Sequence, residues 1–179
     1  MDRLSLIETN LESLADLSNP LRAISSPLME INQSIHDLVH HMMAIMATIP
    51  YATGLSAIQI GLPLRLAVIN MERVPGQDIV IINPRVLKIW GRPTTRTEGC
   101  LSLPHYKGPV RRRNRISVAA TDLQGVSFEL EAKGYFAAVL QHELDHMDGV
   151  LYLDRMDTLP VRTYGEEYVH GKSNQEGDL

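Results

Sequence analysis

The residues best suited to chemistry lie in one short stretch, residues 141–149. His142, Glu143 and His146 form an H-E-x-x-H pattern that follows an apolar run typical of a helix. On an α-helix, two residues four positions apart point in similar directions and lie about 6 Å apart along the axis. Both imidazoles could therefore bind one metal ion, and Glu143 could take a proton from a water beside it. The pattern favours a metallohydrolase over a helix with two surface histidines.

The third metal ligand decides the class of hydrolase, and the spacing leaves it open. Zinc proteases with the longer H-E-x-x-H-x-x-G-x-x-H pattern use a third histidine, but Tyr152 stands at that position. Glu166 lies twenty residues after His146 (166 − 146), a spacing that a second class of metallopeptidase uses. Cys100, the single cysteine, is the other candidate, because a thiolate binds zinc or ferrous iron well. Considered alone, a free cysteine is more often a small buried apolar residue.

Three motifs occur in an order and an approximate spacing typical of one enzyme family. They are residues 54–59 (GLSAIQ), residues 98–102 (EGCLS) and residues 141–146 (QHELDH). From about residue 21 to residue 157 the chain resembles the peptide deformylases, and its second and third motifs match that family without exception. The resemblance, rather than the spacing, identifies Cys100 as the third ligand.

The resemblance implies a reaction and a role for each motif residue. The reaction is hydrolysis of the N-formyl group from the N-terminal methionine of nascent peptides, with release of formate. Its metal ion is typically Fe²⁺, and Zn²⁺ can occupy the same site. Glu98 is expected to orient the cysteine loop by pairing with Arg112. The implied site consists of the metal ligands Cys100, His142 and His146, the general base Glu143, the oxyanion donors Gln59 and Leu101, and the substrate-binding residues Thr53 and Gly54.

The first motif departs from the family pattern G-Φ-G-Φ-A-A-x-Q at two positions. Ala52 replaces the first glycine, and Ser56 replaces the first alanine. Glycine is favoured where a Cβ would crowd an approaching peptide, so we expect Ala52 to weaken substrate alignment and leave metal binding unchanged. Two alternatives to a deformylase remain open. They are a deformylase-like relative with an altered substrate preference and a zinc metallopeptidase that uses Glu166.

Hydrophobic periodicity predicts two helices before the metal-binding one. Apolar residues at three- and four-residue steps predict an amphipathic helix over residues 4–17, ended by the Asn-Pro pair at residues 19–20. A similar pattern predicts a second helix over residues 31–48. His36 and His40 lie four positions apart on it, but no glutamate follows His36 and no cysteine is nearby. A solvated histidine face is therefore favoured over a second metal site.

The remaining elements are a third helix and several short strands. The metal-binding helix is expected to begin after Gly134 and to end at Gly149 in a left-handed conformation. Apolar and β-branched runs predict strands over residues 64–69 and 79–82, with Pro84 ending the second, and a further strand that begins over residues 86–90. Residues 116–120 and 127–132 are expected to form a hairpin. These elements imply an α+β fold in which mostly antiparallel sheets pack around a central metal-binding helix.

The composition is that of an ordinary globular protein. The chain has 179 residues, of which 44% are hydrophobic and 21% charged, and this predicts one domain over residues 1–179. Residues 1–19 are expected to form an N-terminal extension, and residues 168–179 a frayed polar tail. Because the sequence has one cysteine and neither a secretory signal nor a long apolar run, a cytoplasmic location is expected.

The charge distribution bears on the partners. A net charge of −4 gives no general attraction to DNA or to membranes, so neither is expected as a partner. Four arginines cluster in residues 111–115, with Lys107 nearby. A solvent-facing strand edge is favoured for this cluster, and a transient contact with the ribosome is the alternative. The expected substrates are N-formylmethionyl nascent peptides.

Overall fold

The computed structural model describes residues 4–14, 16 and 18–162. The helices are α1 (Leu11–Leu14), α2 (Gln33–Ala47) and α3 (Tyr135–Met147). The strands are β1 (Gly54–Ser56), β2 (Leu66–Ile69), β3 (Ile79–Cys100), β4 (Leu103–Thr121), β5 (Ser127–Lys133) and β6 (Val161–Arg162). Among the described helices, none combines the length and the hydrophobicity needed to cross a membrane.

The strands form an antiparallel sheet in the order β1-β2-β3-β4-β5, with β6 paired to β4. The prediction of an α+β protein with antiparallel strands is therefore confirmed. The longest ladder joins β3 to β4, from Ile82 opposite Thr121 to Cys100 opposite Leu103. Cys100 thus lies at the turn between the two longest strands, and β1 lies at one edge of the sheet.

Two apolar clusters fix the helices against the sheet. The first lies between α2 and the edge strands and includes Val39, Met42, Leu55 and Leu66. The second lies between α3 and the central strands and includes Ile116, Val118, Leu140 and Met147. Burial of one such side chain contributes roughly 1.5–3 kcal/mol. Packing along one face of α3 therefore sets the direction in which its opposite face points.

Glycines bound α3 where the sequence predicts them. Gly134 precedes the helix with a φ of 66°, and Gly149 follows it with a φ of 71°. Both values lie in the left-handed region, which glycine adopts without a steric penalty. A Cβ on Gly149 would also collide with the carbonyl oxygen of Arg22. The prediction of a left-handed glycine after the metal-binding helix is confirmed.

The N-terminal helix predicted over residues 4–17 is wrong for most of that span. Of the described residues in it, α1 alone is helical. The backbone N–H of Ile7 donates to the carbonyl oxygen of Gln59 at 2.7 Å, and that of Thr9 donates to the carbonyl oxygen of Ser102 at 2.9 Å. These backbone N–H groups thus bond to carbonyl oxygens distant in sequence instead of to those of a helix. The local pattern of apolar residues carries no information about such distant partners.

The strand predicted to end at Pro84 continues to Cys100. Its pairing with β4 is irregular near each proline, since the register shifts between Ile82 and Arg85 and again just before Pro93. Proline has no N–H to donate to a ladder, and a bulge accommodates it without ending the strand. Because β3 continues to residue 100, Cys100 at its end lies next to α3.

Candidate active site

The predicted metal ligands meet at the turn between β3 and β4. His142 and His146 lie one turn apart on α3, with their ring centroids 4.8 Å apart. One ligand atom each from Cys100, His142 and His146 lies within 4.8 Å of the other two. The Sγ of Cys100 and the Nε2 of His146 are 3.3 Å apart, close to the roughly 3.5 Å expected of sulfur and nitrogen that share a tetrahedral metal ion. The donor set fits a divalent ion.

Buried charges hold His142 beside Cys100. Nδ1 of His142 lies 3.1 Å from Oε2 of Glu98, and a ring that donates from Nδ1 keeps Nε2 for a metal. Arg112 donates to both oxygens of Glu98, at 2.6 and 3.0 Å, which confirms the predicted pairing. It also donates to Oδ2 of Asp145 at 2.7 Å. This network connects the cysteine turn to α3.

The pKa values of three side chains in the site are shifted from their usual values. Burial lowers the pKa of His142, but hydrogen bonds with Cys100 and Glu98 outweigh it and raise the pKa well above its usual value. Burial and the neighbouring His142 hold the pKa of His146 well below its usual value. Burial raises the pKa of Glu143. The lowered pKa favours the neutral imidazole at His146, which is the form that binds a metal ion.

A cleft of about 250 Å³ opens beside the ligands. Cys100, His142 and Glu143 line one part of it, and Thr53 and Gly54 line another. The carboxylate of Glu143 lies over Gly54, where an added Cβ would collide with Oε1. The structure thus brings the expected base and the expected substrate-binding residues together at the ligand cluster.

Gln59, the expected oxyanion donor, lies against the cysteine sulfur. Its Nε2 is 3.4 Å from Sγ of Cys100 and 3.2 Å from Oγ of Ser102, and its Oε1 accepts the backbone N–H of Ser56 at 2.9 Å. Leu101 lies in the turn after Cys100 and lines the cleft. Both residues therefore lie next to the ligand cluster, and their role as oxyanion donors stays a prediction.

The family model described as polypeptide deformylase matches residues 13–161. The chain belongs to the polypeptide deformylase family. A peptide deformylase of Symbiobacterium thermophilum is 39% identical to it over 158 residues, which cover 88% of this chain and 72% of that protein. A peptide deformylase of Rhizobium meliloti is 40% identical over 141 residues, which cover 78% of this chain and 80% of that protein.

Solved deformylase structures share the fold. The crystal structure of a peptide deformylase from Legionella pneumophila superposes with a TM-score of 0.77 at 34% identity, and the match covers 85% of each chain. A peptide deformylase from Synechococcus elongatus, solved in complex with actinonin, gives a TM-score of 0.76 at 31% identity, with 88% of this chain and 81% of that chain covered.

The alternative third ligand, Glu166, lies outside the described residues, as does the predicted tail over residues 168–179. Within the described ranges of this deformylase-family chain, Cys100 offers a third potential ligand atom beside His142 and His146. Three protein ligands leave one position of a tetrahedral site for water or substrate.

Two buried contacts in this deformylase-family chain were not predicted from its sequence. Arg112 belongs to the arginine cluster expected to face solvent, yet it is 8% exposed and also pairs with Asp145. Strand alternation is the signal that could have separated it from Arg111 and Arg113, which point to the opposite face and are exposed. The hydroxyl of Ser56 also contacts Glu143, and no sequence pattern indicates that contact.

The expected crowding of the cleft by Ala52 is wrong. Its side chain is 3% exposed and packs in the apolar cluster beneath α2. Its φ is not positive, so alanine is unstrained there. The methyl group therefore packs in the core, and Ala52 is not among the residues that line the cleft beside Cys100.

Ala52→Gly is accordingly expected to lower the free energy of unfolding by about 1–2 kcal/mol. Loss of the buried methyl accounts for about 0.8 kcal/mol, and the greater conformational freedom of unfolded glycine accounts for about 0.5–1 kcal/mol. Urea denaturation of the metal-loaded protein measures the change. The kcat/KM for formyl-methionyl peptides should stay within about twofold of wild type, and a larger rise would show that Ala52 does obstruct the cleft.

Proposed function

We propose that this chain is a metal-dependent hydrolase that removes the N-formyl group from the N-terminal methionine of nascent peptides and releases formate. The observation that carries the proposal is the cluster of Cys100, His142 and His146 beside Glu143, in the cleft of a deformylase-family chain. The similar proteins named above are peptide deformylases, and they support the same activity here.

Cys100, His142 and His146 would hold the metal ion, with α3 as the metal-binding helix at the centre of the fold. A divalent ion in such a set lowers the pKa of water and polarises a carbonyl. Thiolate and imidazole ligands suit both Fe²⁺ and Zn²⁺. The resemblance to the family favours Fe²⁺, with Zn²⁺ as the alternative occupant.

Glu143 would accept a proton from the attacking water and pass it to the departing amine. Its carboxylate lines the cleft, and burial raises its pKa, which makes it a stronger base at neutral pH. Negative charge would then develop on the formyl oxygen. The backbone N–H of Leu101 and the side-chain amide of Gln59 would stabilise that charge, and one such donor is typically worth about 3 kcal/mol.

Thr53 and Gly54 would bind the backbone of the peptide. β1 pairs with β2 along one side, and Gly54 at its start lines the cleft together with Thr53. An extended peptide can add to such a strand edge through main-chain hydrogen bonds. The methionine side chain would enter the part of the cleft that Ala138 and Val139 of α3 line.

We also propose the cellular setting of the reaction. The substrates are N-formylmethionyl nascent peptides, and Arg111, Arg113 and Arg115, exposed along β4, would make a transient contact with the ribosome. A cytoplasmic location follows from that substrate. The family match spans residues 13–161. One deformylase domain over residues 1–179, with residues 1–19 as an extension, is part of the proposal.

A formate assay tests the proposed function. The full chain, loaded with Fe²⁺ under anaerobic conditions, is expected to release formate from a formyl-methionyl tripeptide and to leave the acetyl-methionyl tripeptide intact. A chelator should abolish the activity, and added Fe²⁺ or Zn²⁺ should restore it. With Fe²⁺, activity should also decay in air through oxidation of the iron or of the Cys100 sulfur. Cleavage within the peptides and no formate would favour a peptidase instead.

A further inference from the structure

Ser56 makes a short hydrogen bond to the proposed base. Its hydroxyl lies 2.7 Å from Oε2 of Glu143 and 3.1 Å from the backbone oxygen of the same residue. A hydroxyl that donates to an ionised carboxylate at such a distance forms a strong hydrogen bond. Ser56 is 0% exposed, so bulk water does not compete for this contact.

Gly54 confines the carboxylate of Glu143 from the other side. Oε1 of Glu143 lies close to the position that the Cβ of a larger residue would take at Gly54. The absence of a side chain on Gly54 therefore leaves room for this oxygen. β1 thus contacts both oxygens, with the Ser56 hydroxyl at Oε2 and the Gly54 backbone at Oε1. The packing of α3 sets the position of the Glu143 backbone, and β1 sets the direction of its carboxylate.

Ser56 also contacts the proposed oxyanion donor, but through its backbone. Its N–H donates to Oε1 of Gln59 at 2.9 Å, and Nε2 of Gln59 reaches the sulfur of Cys100. A substitution that removes the hydroxyl leaves this backbone contact in place. The hydrogen bond to Glu143 can therefore be tested separately from the position of Gln59.

We propose that Ser56 is a positioning residue for Glu143, whose hydroxyl holds one carboxylate oxygen and so directs the other over Gly54 into the cleft. The inference rests on the proposed role of Glu143 as general base. Ser56 stands where the motif of the family usually has alanine, a side chain without a hydrogen-bond donor.

Ser56→Ala in the metal-loaded full chain is expected to lower kcat about tenfold, with KM within about twofold of wild type. A displacement of about 1 Å can cost on the order of a hundredfold in rate, and Gly54 still limits the motion, so the loss should be smaller. Metal content should stay at the wild-type value. Ser56→Cys has a side chain of similar size but only a weak donor, and its kcat should be close to that of Ser56→Ala.

Ser25→Ala is the matched control. Ser25 is 3% exposed, and its hydroxyl makes no hydrogen bond within the described part of the chain. This variant removes the same atom from a buried site and should leave kcat and KM unchanged. Equal losses of kcat in Ser25→Ala and Ser56→Ala, or a wild-type kcat in Ser56→Cys, would show that packing rather than the hydrogen bond matters, and would overturn the proposal.

Crystal structures of wild type and Ser56→Ala give a readout that needs no activity. The carboxylate of Glu143 is expected to rotate away from its wild-type position over Gly54. An unchanged carboxylate overturns the positioning role. If the wild-type protein releases no formate, the deformylase proposal fails, and the position of the carboxylate still decides whether Ser56 orients Glu143.

Discussion

Cys100→Ala is expected to lose the metal ion and, with it, the deformylase activity. Cys100 offers one of the three potential ligand atoms, and its sulfur lies 3.3 Å from Nε2 of His146. Loss of a residue that only hydrogen-bonds to a metal ligand typically costs about 10- to 100-fold in metal affinity, and loss of the ligand itself should cost more. Metal analysis after dialysis, together with the formate assay, measures both effects.

Glu166→Ala is the matched variant that distinguishes Cys100 from Glu166 as the third metal ligand. If Cys100 is the third ligand, Glu166→Ala retains one metal ion per chain and deformylase activity. If Cys100→Ala retains the metal and Glu166→Ala loses it, the metallopeptidase interpretation is correct. A thiolate ligand also has a spectroscopic signature. A cobalt-substituted wild type should show a sulfur-to-metal charge-transfer band that Cys100→Ala lacks.

Glu143→Gln is expected to bind metal normally and to lose roughly 10²- to 10⁴-fold in kcat, the usual contribution of a general base. The glutamine side chain has the same shape, and its amide oxygen can still accept the hydrogen bond from Ser56. It cannot accept a proton from the attacking water at neutral pH. Steady-state kinetics at matched metal content measure the loss.

Glu131→Gln provides the control for this charge change. Glu131 lies on β5 with its side chain 59% exposed, and its nearest cationic partner is Arg115 at 3.7 Å. Exposed pairs of this kind contribute about 0–1 kcal/mol, so the kcat of Glu131→Gln should equal that of wild type. A Glu143→Gln variant with near-normal turnover would remove Glu143 from the mechanism.

The elements predicted well from the sequence are those governed by local preferences. α2, the turn between β4 and β5, and the bounds of α3 follow the expected pattern because side-chain periodicity and glycine conformation act within a few residues. The strand predicted over residues 116–120 is only the last part of β4, which begins at Leu103. The elements predicted poorly depend on distant partners. The residues before α1 hydrogen-bond to Gln59 and Ser102, and β3 passes Pro84 because its pairing with β4 tolerates a bulge.

The sequence by itself predicted the residues of the site and the chemistry proposed for them. Helical spacing places His142 and His146 on one face, and the resemblance to the deformylases adds Cys100 to them. Only the tertiary structure decided where the residues around these ligands lie and which side chains they contact. It buries Ala52 in the core, places Arg112 between Glu98 and Asp145, and brings the hydroxyl of Ser56 to Glu143. Ser56 and Glu143 are 87 residues apart, and their contact depends on the packing of α3 against β1, which no local pattern encodes.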